Sequence, residues 1–124
     1  MAGQEILVVE DNEKNMKLFR DVLQATGYRT LEATSGEEAI EIVRSREPAL
    51  VLMDVQLPGA DGVETLARLR EDERTAATPV LAVTAQAMRG DRERFLEAGF
   101  DGYLSKPVDV LELIAAVEEL CGRE

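Results

Sequence analysis

Histidine is absent from this chain of 124 residues, so any chemistry that needs an imidazole must borrow one from a second molecule. Cysteine occurs once, at Cys121, which rules out an internal disulfide and reads as a spare surface thiol near the C-terminus. Basic residues are scarce: 14 Lys and Arg stand against 25 Asp and Glu, a formal net charge of -11. Such a surface repels phosphate backbones and anionic lipid, which argues against nucleic acid and membranes as partners. No apolar run approaches the roughly 20 residues of a membrane span, and the opening MAGQEILVVE lacks the basic start of a signal peptide. A cytoplasmic protein is the expectation. Linkers, low-complexity segments and internal repeats are missing too, so residues 1–124 are expected to form a single domain.

What the chain does have is a 45% share of hydrophobic residues, enough for a core, set in a regular alternation. Short apolar or β-branched runs at 5–9, 28–32, 49–53, 79–83 and 102–104 predict strands. Helical spacing predicts helices at 13–26, 35–46, 61–70, 87–98 and 108–120. Gly27 and Gly99 close two of them, and Ser35 caps another with Glu38 three places on. Five strands alternating with five helices imply an α/β fold, a doubly wound (βα)5 three-layer sandwich with a parallel sheet covered on both faces.

In such a sheet every strand's carboxyl end lies on one edge, so residues far apart in sequence meet in one crevice. Here those ends carry Glu10 and Asp11, then Asp54, Thr84 and Lys106. Singly, each has an ordinary explanation: a solvated loop acid, a helix cap, a surface lysine. Jointly, the carboxylates repel one another, and a hard divalent cation is a better remedy than proton uptake. Magnesium takes a few oxygen ligands and keeps waters, so Asp11, Asp54 and a backbone carbonyl just past Asp54 would leave a position open for a phosphoryl oxygen. Asp54 then reads as a nucleophile that forms an aspartyl phosphate. Thr84 would donate a hydroxyl hydrogen bond, and Lys106 would pair with Asp54 before reaction and with a phosphoryl oxygen after it.

The segments VVEDN, LMDVQLPGADG, AVTA and GYLSKP, at this spacing, resemble the CheY-like receiver domains of two-component response regulators over nearly the whole chain. EDNEKNMKLF and TAQAMRGD are similar in particular to DivK-like single-domain regulators. The resemblance implies a flavodoxin-like strand order of 2-1-3-4-5 and Asp54 as phosphoacceptor. It implies Glu10 and Asp11 as Mg2+ ligands, Glu10 through water, and Gln56 as a ligand through its backbone carbonyl. It further implies a cis peptide bond between Lys106 and Pro107 that points the ammonium inward. The expected protein is a stand-alone regulator with no output domain, which takes part in its own phosphoryl transfer and slow dephosphorylation. Gln56 and Gln86 stand two places beyond Asp54 and Thr84, where family members tune the phosphate's loss to water.

With no histidine in the chain, a phosphohistidine donor must belong to a partner, a histidine kinase or histidine phosphotransfer protein. On the first helix Met16, Phe19 and Leu23 form one apolar line and Leu18, Val22 and Ala25 another, wider together than the roughly 100° stripe of a one-sided helix. A deeply tucked helix and an edge that docks a kinase helix pair are both open. By resemblance Tyr103 turns inward as Thr84 moves, altering the face of the fourth helix, fifth strand and fifth helix for a downstream target or a homodimer partner. On the residues alone Tyr103 is equally a static half-buried aromatic. Arg89, Arg92 and Arg94 make a local basic cluster, by default a solvated face and otherwise a contact for an acidic protein surface or a matching helix of a second copy. Gly90, expected inside that helix, lowers its stability by about 1 kcal/mol relative to alanine.

Three other classes compete. A haloacid-dehalogenase-like phosphatase expects a second aspartate where Gln56 stands. A flavodoxin-like electron carrier needs a hydroxyl- and glycine-rich phosphate cradle where EDNEKN stands. A receiver-shaped module with no phosphorylation would not need all five pocket residues, and none is missing.

Overall fold

In the computed structural model of the chain, residues 4–56, 61–85 and 90–121 are described. Strand β1 is Glu5–Val9, β2 Arg29–Ala33, β3 Leu50–Asp54, β4 Val80–Thr84 and β5 Gly102–Ser105. They alternate with helices α1 (Glu13–Ala25), α2 (Gly36–Arg46), α3 (Gly62–Glu71), α4 (Asp91–Ala98) and α5 (Val110–Cys121). All strand pairs are parallel and the order is β2-β1-β3-β4-β5, as expected from the resemblance. The chain therefore reverses its winding direction between β1 and β3, and a crevice opens there at the carboxyl edge.

Alternation along the strands builds two cores. Leu7, Val9, Val51, Met53, Val80 and Ala82 face α2, α3 and α4, while Ile6, Val8, Leu50, Leu52, Leu81 and Val83 face α1 and α5. Every residue of β3 and β4 is buried, the condition for a central strand of a sheet covered on both sides. On α1, Met16, Phe19 and Leu23 are buried as the spacing predicts, whereas Leu18 keeps 39% of its surface in solvent. The second apolar line is thus a partly exposed edge.

Several boundaries differ from expectation for identifiable reasons. β2 starts at Arg29 because the Tyr28 N–H still closes α1, donating to the Leu23 carbonyl. β3 and β4 each run one residue further and take in Asp54 and Thr84. α5 begins at Val110 because the Asp109 carboxylate accepts the N–H groups of Leu111 and Glu112. Gly90 is not inside α4: with φ of 88° it is left-handed and stands at the N-cap. Of the other expectations there, Gln86, Arg89 and the helix start at 87 lie outside the described residues, as does the side chain of Arg92. Cys121 is not a surface thiol. It continues the buried stripe of Leu113 and Val117 at four-residue spacing and is itself buried. Among the described residues no helix is long and apolar enough to cross a membrane.

Candidate functional site

β1 ends at Val9, and the next residue still holds the sheet: the Glu10 N–H donates to the Ala33 carbonyl at 3.0 Å. This pairing turns the Glu10 side chain into the crevice, where only 1% of its surface is exposed. Its Oε2 accepts the Asn12 N–H at 3.2 Å, and the Asn12 side chain in turn caps α1 by accepting from Lys14 and Asn15. The acidic pocket and the start of α1 are one construction. Asp11, next in the chain, is exposed at the mouth of the crevice, with a carboxylate oxygen near those of Glu10 and Asp54.

Asp54 closes β3, 5% exposed. Its Oδ1 accepts the Gln56 N–H at 2.9 Å and its Oδ2 the Lys106 ammonium at 3.0 Å. Lys106 comes from the far side of the sheet. Its N–H donates to the Thr84 carbonyl at 2.8 Å, prolonging the β4 and β5 pairing, and the next peptide bond, to Pro107, is cis as expected. The ammonium also lies 3.1 Å from Glu10 Oε1, in an ion pair whose geometry leaves that buried oxygen without a hydrogen-bond partner. Thr84 ends β4, 2% exposed.

Electrostatics follow from this packing. Burial first, and then the neighbouring Asp54 charge, hold the Glu10 carboxyl above its ordinary value, against the pull of Lys106 and the Asn12 N–H. Burial by itself would lower Lys106, but the hydrogen bond and charge of Asp54, helped by Glu10, outweigh it and raise the ammonium above its usual range. Oxygens of Glu10, Asp11 and Asp54 all lie within 4.8 Å of one another. A donor set of hard oxygens alone, with one buried carboxylate oxygen lacking a hydrogen bond, fits a magnesium-like cation and not a soft one.

The structure thus brings Glu10, Asp11, Asp54, Thr84 and Lys106 to one edge, with Gln56 held to Asp54 through its N–H. Tyr103 is half-buried and stacks on Phe95 of α4, ring centroids 5.6 Å apart. One contributor, the last residue of the LMDVQLPGADG segment, was given no role by the sequence. A Cβ on Gly62 would lie 2.7 Å from Val55 Cα and 3.0 Å from the Asp54 carbonyl, while the Gly62 N–H donates to Val55. The signal available was Asp61, which caps α3 by accepting the Glu64 N–H and so brings the following residue against the end of β3.

This fold and this pocket define a phosphoryl-accepting signalling domain of the doubly wound class. The chain belongs to the response regulator receiver domain family, which matches residues 6–118. It is 45% identical to the polar-differentiation response regulator DivK of Brucella ovis over 96% of this chain and 97% of that protein, and 44% identical to its counterpart from Brucella anthropi with the same coverage. Among solved structures it is similar to the receiver domain of a sensor histidine kinase from Pseudomonas aeruginosa. That comparison has a TM-score of 0.89, 37% identity and coverage of 98% and 99% of the two chains, and that protein has a magnesium ion coordinated in its active site cleft. The receiver domain of Francisella response regulator 1452 superimposes with a TM-score of 0.90, 28% identity and 98% coverage of each chain. Receiver domains accept a phosphoryl group on an aspartate with Mg2+ at an acidic site, and interact with histidine kinases and downstream targets. Membership of this family leaves the phosphatase and electron-carrier readings without support.

Proposed function

We propose that Asp54 is the phosphoacceptor of this response regulator and that Glu10, Asp11, Asp54 and the Gln56 carbonyl hold its Mg2+. The observation that carries the reading is the convergence on Asp54: one oxygen on the Lys106 ammonium at 3.0 Å, the other on a backbone N–H, with two more carboxylates close by. An Asp54 oxygen attacks the phosphorus of a phosphohistidine, the P–N bond breaks, and the imidazole leaves with its electron pair. The donor histidine belongs to a kinase or phosphotransfer protein, since the chain has none. Bound Mg2+ would neutralise charge on the phosphoryl oxygens. Lys106 holds Asp54 oriented beforehand and pairs with a phosphoryl oxygen afterwards.

Thr84, at the end of β4 beside the site, supplies the hydroxyl that follows the new charge, and Tyr103 on β5 carries the change to the surface. That surface is supported by a groove of about 590 Å³ along β5 and α5, lined by Leu96, Tyr103, Leu104 and Ala116 with acids at Asp101 and Glu112, where a downstream protein or a second copy would bind. The site of action is the cytoplasm. Incubation with acetyl phosphate and Mg2+, followed by intact-mass measurement, is expected to give one phosphate adduct in the wild type and none in Asp54→Ala. An adduct that persists in the variant assigns the acceptor elsewhere, and no adduct in either protein leaves a phosphorylation-independent module.

A further inference from the structure

Asn12 stands where the acidic pocket meets α1, and it is fastened in both directions. Forward, its Oδ1 accepts the N–H groups of Lys14 at 2.9 Å and Asn15 at 3.1 Å, and its carbonyl accepts that of Met16 at 2.9 Å. These three bonds hold its backbone at φ of -93° and ψ of 120°, the extended geometry of an N-cap. Backward, its own N–H donates to Glu10 Oε2 at 3.2 Å.

A backbone N–H has no rotamer of its own; its direction follows the chain, and here the cap holds the chain. With Oε2 engaged by Asn12, the buried Oε1 of Glu10 is left in the crevice without a hydrogen bond, 3.1 Å from the Lys106 ammonium. Asp11 lies between two anchored residues, since the Glu10 N–H is bonded to Ala33 and Asn12 is bonded to α1. That short span carries an oxygen of the exposed Asp11 to within 4.8 Å of those of Glu10 and Asp54. Losing the cap would therefore release the N–H that orients one carboxylate and an anchor that places another. Groups that orient ligands without touching the metal change its affinity by roughly 10- to 100-fold when removed.

We propose that Asn12 is a positioning residue for the cation: its cap aims Glu10 and places Asp11, so that capping of α1 and binding of Mg2+ stabilise each other. This rests on the reading above that these carboxylates hold Mg2+. The test is titration of wild type, Asn12→Ala, Asn12→Ser and Thr26→Ala with Mg2+, followed at the Gln56 amide by NMR. Amide exchange at Lys14 and Asn15 is measured in the wild type without metal and at saturation. Asn12→Ala is expected to bind Mg2+ about tenfold more weakly. Asn12→Ser, whose hydroxyl restores the cap, should stay within about twofold of wild type. Thr26→Ala removes a hydroxyl bonded to the Val22 and Leu23 carbonyls, loosening α1 at its other end, and should bind as the wild type does. Coupling is reciprocal, so Mg2+ should slow exchange at the Lys14 and Asn15 amides by about the same factor. The coupling is overturned if Asn12→Ala binds as tightly as wild type, if Asn12→Ser is as weak as Asn12→Ala, if Thr26→Ala weakens binding equally, or if Mg2+ leaves those two amides unchanged. The last measurement needs no variant and decides the matter even where Asn12→Ala does not fold. Failure of the wild type to bind Mg2+ at all overturns the reading of the metal site itself, and the coupling with it.

Discussion

Lys106 stands between two carboxylates that water barely reaches, 3.0 Å from one and 3.1 Å from the other. Two buried like charges with one shared counter-charge are stable only while that counter-charge is present. Lys106→Ala is therefore expected to lose about 3 kcal/mol of folding stability in metal-free buffer, since it strands both acids. Millimolar Mg2+ should recover much of the deficit, because a divalent ion replaces the missing charge. Urea unfolding with and without the metal checks this, and a deficit insensitive to Mg2+ contradicts the shared-cation account. At this scale the polar groups that converge at the carboxyl edge were legible in the sequence, because each follows an apolar run. Their partners were not: that Glu10 gives one oxygen to Asn12 and the other to Lys106 depends on side-chain directions.

At the scale of elements, strand ends and helix starts set the site. The start of α3 lies against the end of β3 so closely that a methyl group on Gly62 would meet backbone atoms at 2.7 and 3.0 Å, neither of which can turn aside. Gly62→Ala should cost about 2 kcal/mol by overpacking and weaken beryllofluoride binding, because relief requires the Asp54 peptide to shift. Equilibrium unfolding and a titration of the mimic measure the two effects. The end of α3 offers a pH-dependent test. The Asp72 carboxyl is held below its ordinary value, first by the Arg74 N–H and then, against some burial, by Arg44. A depressed carboxyl contributes stability above its unfolded value of about 3.9 and loses it as pH falls through the folded value. Asp72→Asn should therefore melt lower than wild type near neutrality, with the gap closing below about pH 4. Element types were legible from period and punctuation, and the misplaced boundaries shared a cause: caps such as Asp109 and Gly90 act through single hydrogen bonds and φ angles that hydrophobic period does not report.

For the whole molecule the governing quantity is the net charge of -11. An anionic small donor meets a repelling field, which salt weakens as the Debye length falls from roughly 30 Å at 10 mM to 8 Å at 150 mM. The second-order rate of adduct formation from acetyl phosphate, at fixed Mg2+, should rise about two- to threefold over that range. Timed intact-mass measurement reads it, and a falling rate would mean that the local cations outweigh the global charge. The same scale separates what each source of information decided. The sequence alone determined the alternation of five strands with five helices and the polar residues at the strand ends, because periodicity, turn residues and chain order are local properties that survive without coordinates. Tertiary structure alone decided that Cys121 is buried, that Gly62 leaves no room for a side chain, and that Arg70 collects four acceptors from three segments. Those facts depend on distances between residues far apart in the chain, and such distances exist only once the sheet's register has set them.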